Sequence, residues 1–472
     1  MKPRNVIFPV VALALGACAT PPPPALSTSP ESGAAKFTAR SLTDDGLRRF
    51  LAENLGREPT PATGSGQTAW DFETLSWVAF YYHPSLDVAR AEWAVMRAAQ
   101  QTAAARPNPT VALTPGYNST HEPGLSPWFP AINFDFLFQT SGKRAHQQDI
   151  ARADAEAARL AVVSAAWRVR SELRAALTEA TTTARREASL RAQAGVQREL
   201  LALLEQRLAA GAVSAVELST TRLALLRAEA AAVEAAGQQV TARTRAAAAI
   251  GLPLAALDGV ALPPPPAGAV LSTDDLAAAR RQSLHARADV LAALARIHSA
   301  EAALALEAAK QQPDFHLGPG YQWDQGANKW SVALSFELPV FHRNEGPIAE
   351  ATARRAAAAA QFTAVQAQAV AGIEAAATAQ AIAATQLEHA RRVRAEVEKQ
   401  DALAQQRLSL GAADQVERQT ARLDLAAAEA ALAEAESAAA LAAGQLEDAL
   451  QVPFPNLAAL ADATRVQPSR TP

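Results

Sequence analysis

Proline is missing from three long stretches of a chain that holds 29 prolines: between Pro130 and Pro253, between Pro266 and Pro313, and between Pro347 and Pro453. A proline inside a helix removes a donor and clashes with the preceding turn, so these gaps are where helices can run. In the first gap, Gly142 to Ala210 contains no breaker stronger than Gly195. At ~1.5 Å per residue that stretch makes a rod of roughly 100 Å, which no soluble globular domain needs. Only 5% of the residues are aromatic, and the gaps are written mainly in Ala, Leu, Glu, Arg and Gln, the vocabulary of long helices. Leu160, Val163 and Trp167, then Leu201, Leu204 and Leu208, step by three and four. The seam is narrow and rich in alanine, as in closely packed coiled-coil partners.

An internal repeat organises the rods. Gln206-Arg207-Leu208, Gly211, Val216-Glu217 and Arg222-Leu223 recur 200 residues later as Gln406-Arg407-Leu408, Gly411, Val416-Glu417 and Arg422-Leu423. Pro115-Gly116-Tyr117 recurs as Pro319-Gly320-Tyr321, and one longer loop, Tyr117 to Ile132 against Tyr321 to Val332, absorbs the difference in spacing. The chain therefore reads as two copies of one unit: helix, strand, loop, strand, long helix, turn, helix.

Residues 111–141 and 313–342 hold 12 of the 25 aromatic residues, an enrichment that marks them off from the rods. Ile132, Phe134, Phe136 and Phe138 interleave with Asn133, Asp135 and Leu137, and Val332, Leu334, Phe336 and Leu338 interleave with Ala333, Ser335 and Glu337. This alternation predicts strands at about 110–117, 131–139, 314–323 and 330–339, each with one apolar face. Their length of ~9–11 residues and terminal Tyr or Trp suit tilted strands crossing an outer membrane. Four strands cannot close a barrel, so copies of the chain must complete it. Soluble hairpins packed on helices are the alternative, but they would leave an adhesive apolar patch. Asn133, Asp135, Gln322, Ser335 and Glu337 would face a wet lumen.

Residues 1–17 have the layout of a secretory signal peptide. Lys2 and Arg4 precede an apolar run from Val6 to Leu15, too short to span a bilayer. Leu15-Gly16-Ala17-Cys18 resembles a bacterial lipobox, in which the cysteine becomes the acylated first residue; Ala19, not aspartate, then points to the outer membrane. Residues 18–69 read as a lipidated tether, beginning with Pro21-Pro22-Pro23-Pro24, and a short helix. The first repeat covers 70–260 with long helices over about 142–250. A linker and the start of the second repeat cover 261–286. The second repeat covers 287–455 with long helices over about 347–451, and 456–472 form a tail.

A net charge of −3 gives no sign of a nucleic-acid partner. The single cysteine, two methionines and eight scattered histidines lead us to expect no disulfide framework, metal centre or cofactor in the chain. Gly142-Lys143-Arg144 lacks the upstream glycine of a phosphate loop and reads as the start of the long helix.

Over about 70–455 the chain resembles the TolC-like outer-membrane efflux proteins. The residues that carry the match are His83-Pro84-Ser85-Leu86, Arg106-Pro107-Asn108-Pro109, Gly142-Lys143-Arg144, and Leu338-Pro339-Val340-Phe341-His342-Arg343-Asn344-Glu345-Gly346-Pro347-Ile348. The Arg-Pro-Asn-Pro, Gly-Lys-Arg and Arg-Asn-x-Gly elements look most like the CzcC-type branch, which serves heavy-metal cation pumps. Gln139-Thr140-Ser141 departs from that branch's usual Glu-Leu-Gly-like sequence. The resemblance implies a mainly α protein with a transmembrane β part. Three subunits of four strands make one 12-stranded barrel, and a helical coiled-coil barrel continues it into the periplasm. It also implies a homotrimer in outer-membrane lipid, a periplasmic adaptor and an inner-membrane RND-type pump as partners, and no catalysed reaction.

The resemblance places Arg207, Leu208, Gly211, Ala212, Val213 and their counterparts Arg407, Leu408, Gly411, Ala412, Ala413 at the adaptor-contacting tips, where glycine lets each helix reverse. Glu217, Asp414 and Glu417 are candidates for an acidic, cation-attracting pore entrance, unless Arg222 or Arg418 neutralises the glutamates locally. Multidrug efflux or polypeptide secretion through the same architecture remains open, as does a periplasmic coiled-coil lipoprotein without a pore.

Overall fold

The computed structural model of the chain describes residues 29–56, 70–120, 124–266 and 273–451. The signal segment, Cys18, the proline tether and the 456–472 tail lie outside the described residues. The chain divides into two units, Met1–Ser41 and Leu42–Pro472. In the first, helix α1 (Pro30–Thr38) is started by a reciprocal Ser29–Ser32 capping box with proline in its first turn.

In the second unit the elements run α2 (Asp45–Leu55), α3 (Phe72–Tyr82), α4 (Pro84–Ala104), β1 (Thr110–Thr114), β2 (Ala131–Phe138), α5 (Lys143–Ala209) and α6 (Ala215–Ile250). They continue with α7 (Thr273–Ala286), α8 (Ala288–Ala309), β3 (Phe315–Asp324), β4 (Ala327–Phe336), α9 (Glu345–Ser409) and α10 (Gln415–Leu450). At ~1.5 Å per residue the 67-residue α5 is roughly 100 Å long, whereas the 36-residue α6 is only about 54 Å. One return helix therefore cannot cover the rod. The remaining half of α5 is covered by α4 and α8, and that of α9 by α8.

The half-length helices meet at left-handed residues. Gly251 closes α6 at φ 84°, and a Cβ there would stand 2.8 Å from the Tyr82 carbonyl, just where α3 gives way to α4. Two hundred residues on, Gln451 takes the same place at φ 47°, and its Oε1 accepts from the Ala288 amide at 3.1 Å at the start of α8. The main hydrophobic core sits at this level. It is built from Leu47, Leu51, Leu75, Trp77 and Phe80 of α2 and α3, Trp167, Leu173 and Leu177 of α5, and Ala246 and Ile250 of α6. Its counterpart in the second repeat, Ile373, Leu446 and Leu450, is far smaller.

A buried charge cluster joins the two repeats beside this core. Arg170 and Arg174 of α5 are 3% and 1% exposed. Arg170 Nη1 donates to Asp448 Oδ1 at 2.9 Å, Arg174 Nη2 donates to Glu447 Oε2 at 2.7 Å, and both guanidiniums lie over the Phe72 ring at 5.1 and 4.7 Å. Gly444 on the last turns of α10 leaves the room that the Arg174 side chain fills. Burial pushes the Asp448 carboxyl up against the pull of both arginines, and pushes the Arg174 guanidinium down. The cluster thus fixes how α10 seats on α5 more than it adds net stability.

The four strands form one antiparallel sheet in the order β1-β2-β3-β4. Three boundaries differ by more than a residue from the sequence expectation. β1 ends at Thr114, and Tyr117 makes only an isolated bridge to Trp128. β4 begins at Ala327, ahead of the expected start near residue 330. The cause is a two-residue turn, Gln325-Gly326, with φ of 51° and 88°, which replaces the expected loop and matches the right-handed strand twist. β4 also stops at Phe336, so Glu337 lies one residue beyond the sheet. Among the described residues no helix is long and apolar enough to cross a membrane.

Candidate functional site: the sheet face and the helix tips

Register sorts the sheet into two chemically distinct faces. Val111↔Phe134, Ile132↔Tyr321, Phe136↔Leu317, Phe315↔Phe336, Tyr321↔Trp330 and Pro319↔Val332 pair on one side. Ala112↔Asn133, Asn133↔Gly320, Gly318↔Ala333, His316↔Ser335 and Gln322↔Lys329 pair on the other. The structure therefore brings Asn133, Asp135, Gln322 and Ser335 onto a single polar face, as their alternation implied, and leaves Glu337 outside it. The apolar face is open: Val111, Leu113, Trp330, Val332 and Leu334 are all exposed. Both edge strands, β1 and β4, have one unpaired side.

His316 alternates with Phe315 and Leu317 and so belongs to the polar face, but its contact with Asp135 is not readable from one strand alone. Its Nδ1 lies 2.9 Å from Asp135 Oδ2. Gly318, Gly320 and Ala333 keep the surrounding face low. Asp135 and His316 stand at polar positions of adjacent strands, so the register is the signal that would have found the pair. Among the described residues, no cluster of three or more His, Cys, Asp and Glu side chains could hold a metal ion.

Each strand-to-rod passage is an elbow in left-handed backbone. Ser141 and Gly142 have φ of 56° and 71°, and Asn344 has φ of 60°. In the first elbow the Lys143 ammonium donates to Asp314 Oδ1 and to the Gln312 carbonyl, each at 2.7 Å, while the Thr140 amide donates to the same carboxylate at 2.9 Å. Burial pushes the Asp314 carboxyl up, but Lys143 and Thr140 together hold it below the usual aspartate range. In the second, Asn344 Nδ2 donates to the Glu307 carbonyl at 2.7 Å and to its carboxylate at 2.9 Å. Gly142-Lys143-Arg144 and Arg343-Asn344-Glu345-Gly346 thus have a physical role as paired joints.

At the opposite end, Gly211 and Gly411 adopt φ of 72° and 70°, and the Ala212 and Ala412 amides reach back to the Arg207 and Arg407 carbonyls at 2.8 Å. Leu208, Val213, Leu408 and Ala413 are half-buried beside these turns. Ser214 and Asp414 then cap the return helices by accepting from the Glu217 and Glu417 amides at 3.2 and 2.8 Å. The arginines that meet the acids are not the ones sequence proximity offered. Arg222 pairs with Glu205 and Arg418 with Asp401. Instead Arg207 of the first tip holds Asp414 of the second at 3.0 Å, and Arg407 pairs with Glu417. The Glu417 amide and then Arg207 lower the Asp414 carboxyl. Glu217 is exposed and forms no ion pair among the described residues.

The family model described as outer membrane efflux protein matches residues 81–252 and 279–451, one match per repeat. The chain is similar to the outer membrane protein VceC from Vibrio cholerae, with 22% identity over 80% of this chain and 95% of that one and a TM-score of 0.66. It is also similar to the outer-membrane channel OprN, with 19% identity over 92% and 98% and a TM-score of 0.66. CusC, described in terms of transmembrane channel formation, gives 16% identity over 83% and 96% and a TM-score of 0.64. At these identities the likeness carries the fold alone. Comparison with curated sequences gives no match.

Proposed function

The chain belongs to the outer membrane efflux protein family, and from that premise we propose that it is the outer-membrane channel of a tripartite efflux system, a passive conduit for heavy-metal cations. In this reading three copies share a 12-stranded barrel, their rods continue it through the periplasm, and Cys18 carries a lipid anchor. A periplasmic adaptor and an inner-membrane RND-type pump engage the Gly211 and Gly411 tips. The observation that carries the reading is the four-stranded sheet with one apolar face, one polar face and two unpaired edges. Such a sheet has a stable place in a bilayer only when copies of the chain supply the missing strands, because no water reaches an open edge there.

Selection of the ion belongs to the pump in this reading. The chain contributes carboxylates that favour cations, and Glu217, which no arginine among the described residues pairs, contributes most at the entrance. Purified protein reconstituted into liposomes is the test. Ion conductance is the expected result, and in single-channel recordings Glu217→Gln lowers cation preference more than Glu417→Gln. A monomer that stays in solution without detergent and gives no conductance overturns the reading.

A further inference from the structure

Imidazole nitrogen and carboxylate oxygen are the side-chain atoms that hold ions such as zinc, nickel and copper, at ~2.0–2.2 Å from the metal. Two such atoms at right angles about one ion stand about 3 Å apart. Asp135 on β2 and His316 on β3 present that spacing: His316 Nδ1 is 3.2 Å from Asp135 Oδ1 and 2.9 Å from Oδ2. With its proton on Nε2, the neutral imidazole turns the Nδ1 lone pair toward the carboxylate.

The surroundings of the pair leave such an ion its water. His316 faces Leu137 on β2 and Ser335 on β4, and the next position along the polar face is the low pair Gly318↔Ala333. The two side chains are 40% and 46% exposed, so solvent reaches both. No cation within the sheet cancels the carboxylate. The Lys329 ammonium, at the hairpin end of the same face, is already held by Asp324 at 2.6 Å. Among the described residues Asp135 forms no ion pair with a lysine or arginine.

We infer that Asp135 and His316 form a transient binding step for a transition-metal dication on the polar face of the sheet. This rests on the conduit reading above, in which that face lines the lumen, and gives the wall a ligand chemistry of its own. Two side chains leave the rest of the coordination shell to water, so the ion is held weakly and released. A conduit needs that, because an ion in a complete cage would plug it. The absence, among the described residues, of any cluster of three or more His, Cys, Asp and Glu side chains fits a step of this kind. The imidazole sets the preference. Magnesium and calcium take oxygen ligands and gain little from a ring nitrogen, whereas zinc, nickel and copper bind it well.

Nickel(II) alone is the probe, used on the full chain. In equilibrium dialysis of the detergent-solubilised protein, the native chain should bind an extra nickel ion compared with His316→Ala, a difference that cancels ions held at other histidines. Asp135→Asn should weaken that ion by about 10–100-fold, as loss of the group partnering a metal-binding imidazole does. His316→Gln, which keeps a donor to Asp135 but offers no ring nitrogen, should match His316→Ala. In planar bilayers nickel should reduce the potassium current where magnesium at the same concentration does not. The reduction should vanish in His316→Ala and persist in His298→Ala, whose side chain is exposed on α8. Equal nickel binding by the native chain and His316→Ala, or equal action of nickel and magnesium on the current, overturns the ion step and leaves a conducting channel's role untouched. A protein that shows the dialysis difference but conducts nothing keeps the ion step and overturns the conduit.

Discussion

Gly444 and Gly372 both lie within helices, yet their surroundings give them opposite roles. A Cβ at Gly444 would fall within the Arg174 side chain, whereas one at Gly372 meets nothing within 4 Å. Gly444→Ala should therefore destabilise the fold by about 1–3 kcal/mol through overpacking, and Gly372→Ala should stabilise it by about 0.5–1 kcal/mol through helix propensity. Denaturant midpoints measured in detergent would show the two shifts in opposite directions. At the tips, the lowered Asp414 carboxyl makes its pairing with Arg207 present above the ordinary aspartate range and lost as pH falls through the lowered value. Spin labels at Ala212→Cys and Ala412→Cys should report one unchanging distance from pH 8 to about 4. Asp414→Asn should broaden it at neutral pH, and an equally sharp distance in that variant would count against the tie. The repeat pairs Glu217 with Glu417, whereas Asp414 answers to Ser214. The partners of these acids were not legible, because the turn sets Arg407 across from Glu417 while the sequence offers Arg418 beside it.

At the scale of elements, the rods were legible because missing prolines and alanine-rich seams are local signals, and the strands because alternation is local too. The ends of β4 were not. The Gln325-Gly326 turn has only one of the residues that favour φ above zero, so nothing in the sequence separated a two-residue hairpin from a longer loop. The division of each rod between two half-length helices has no local signal, since it depends on Gly251 approaching Tyr82 from far along the chain. The elbows allow a direct check. Asn344 combines left-handed backbone with two hydrogen bonds to Glu307. Asn344→Ala should cost about 2–3 kcal/mol, roughly 1 from the backbone and the rest from the lost bonds. Asn344→Gly should recover the backbone share only. Equal denaturation midpoints for the two variants would mean that the left-handed geometry carries no cost there.

At the scale of the whole molecule, the buried Arg174 and the exposed Leu226 and Val233 of α6 assign different failures to different substitutions. Arg174 belongs to a cluster wholly within one chain, and Arg174→Ala leaves Glu447 and Asp448 facing Arg170 alone. Removing one partner of a buried ionic group costs about 3–5 kcal/mol; with the Glu447 side chain 32% exposed, the lower end applies. The variant should thus lose helical signal at a lower temperature, yet keep its native assembly mass before melting, because the contact between copies does not use Arg174. Leu226→Glu with Val233→Glu should behave in the opposite way, dissociating first and melting afterwards. Parallel measurement of circular dichroism and mass against temperature separates the two orders of events. Should Arg174→Ala dissociate before it melts, the buried cluster would have to act across copies as well as within the chain.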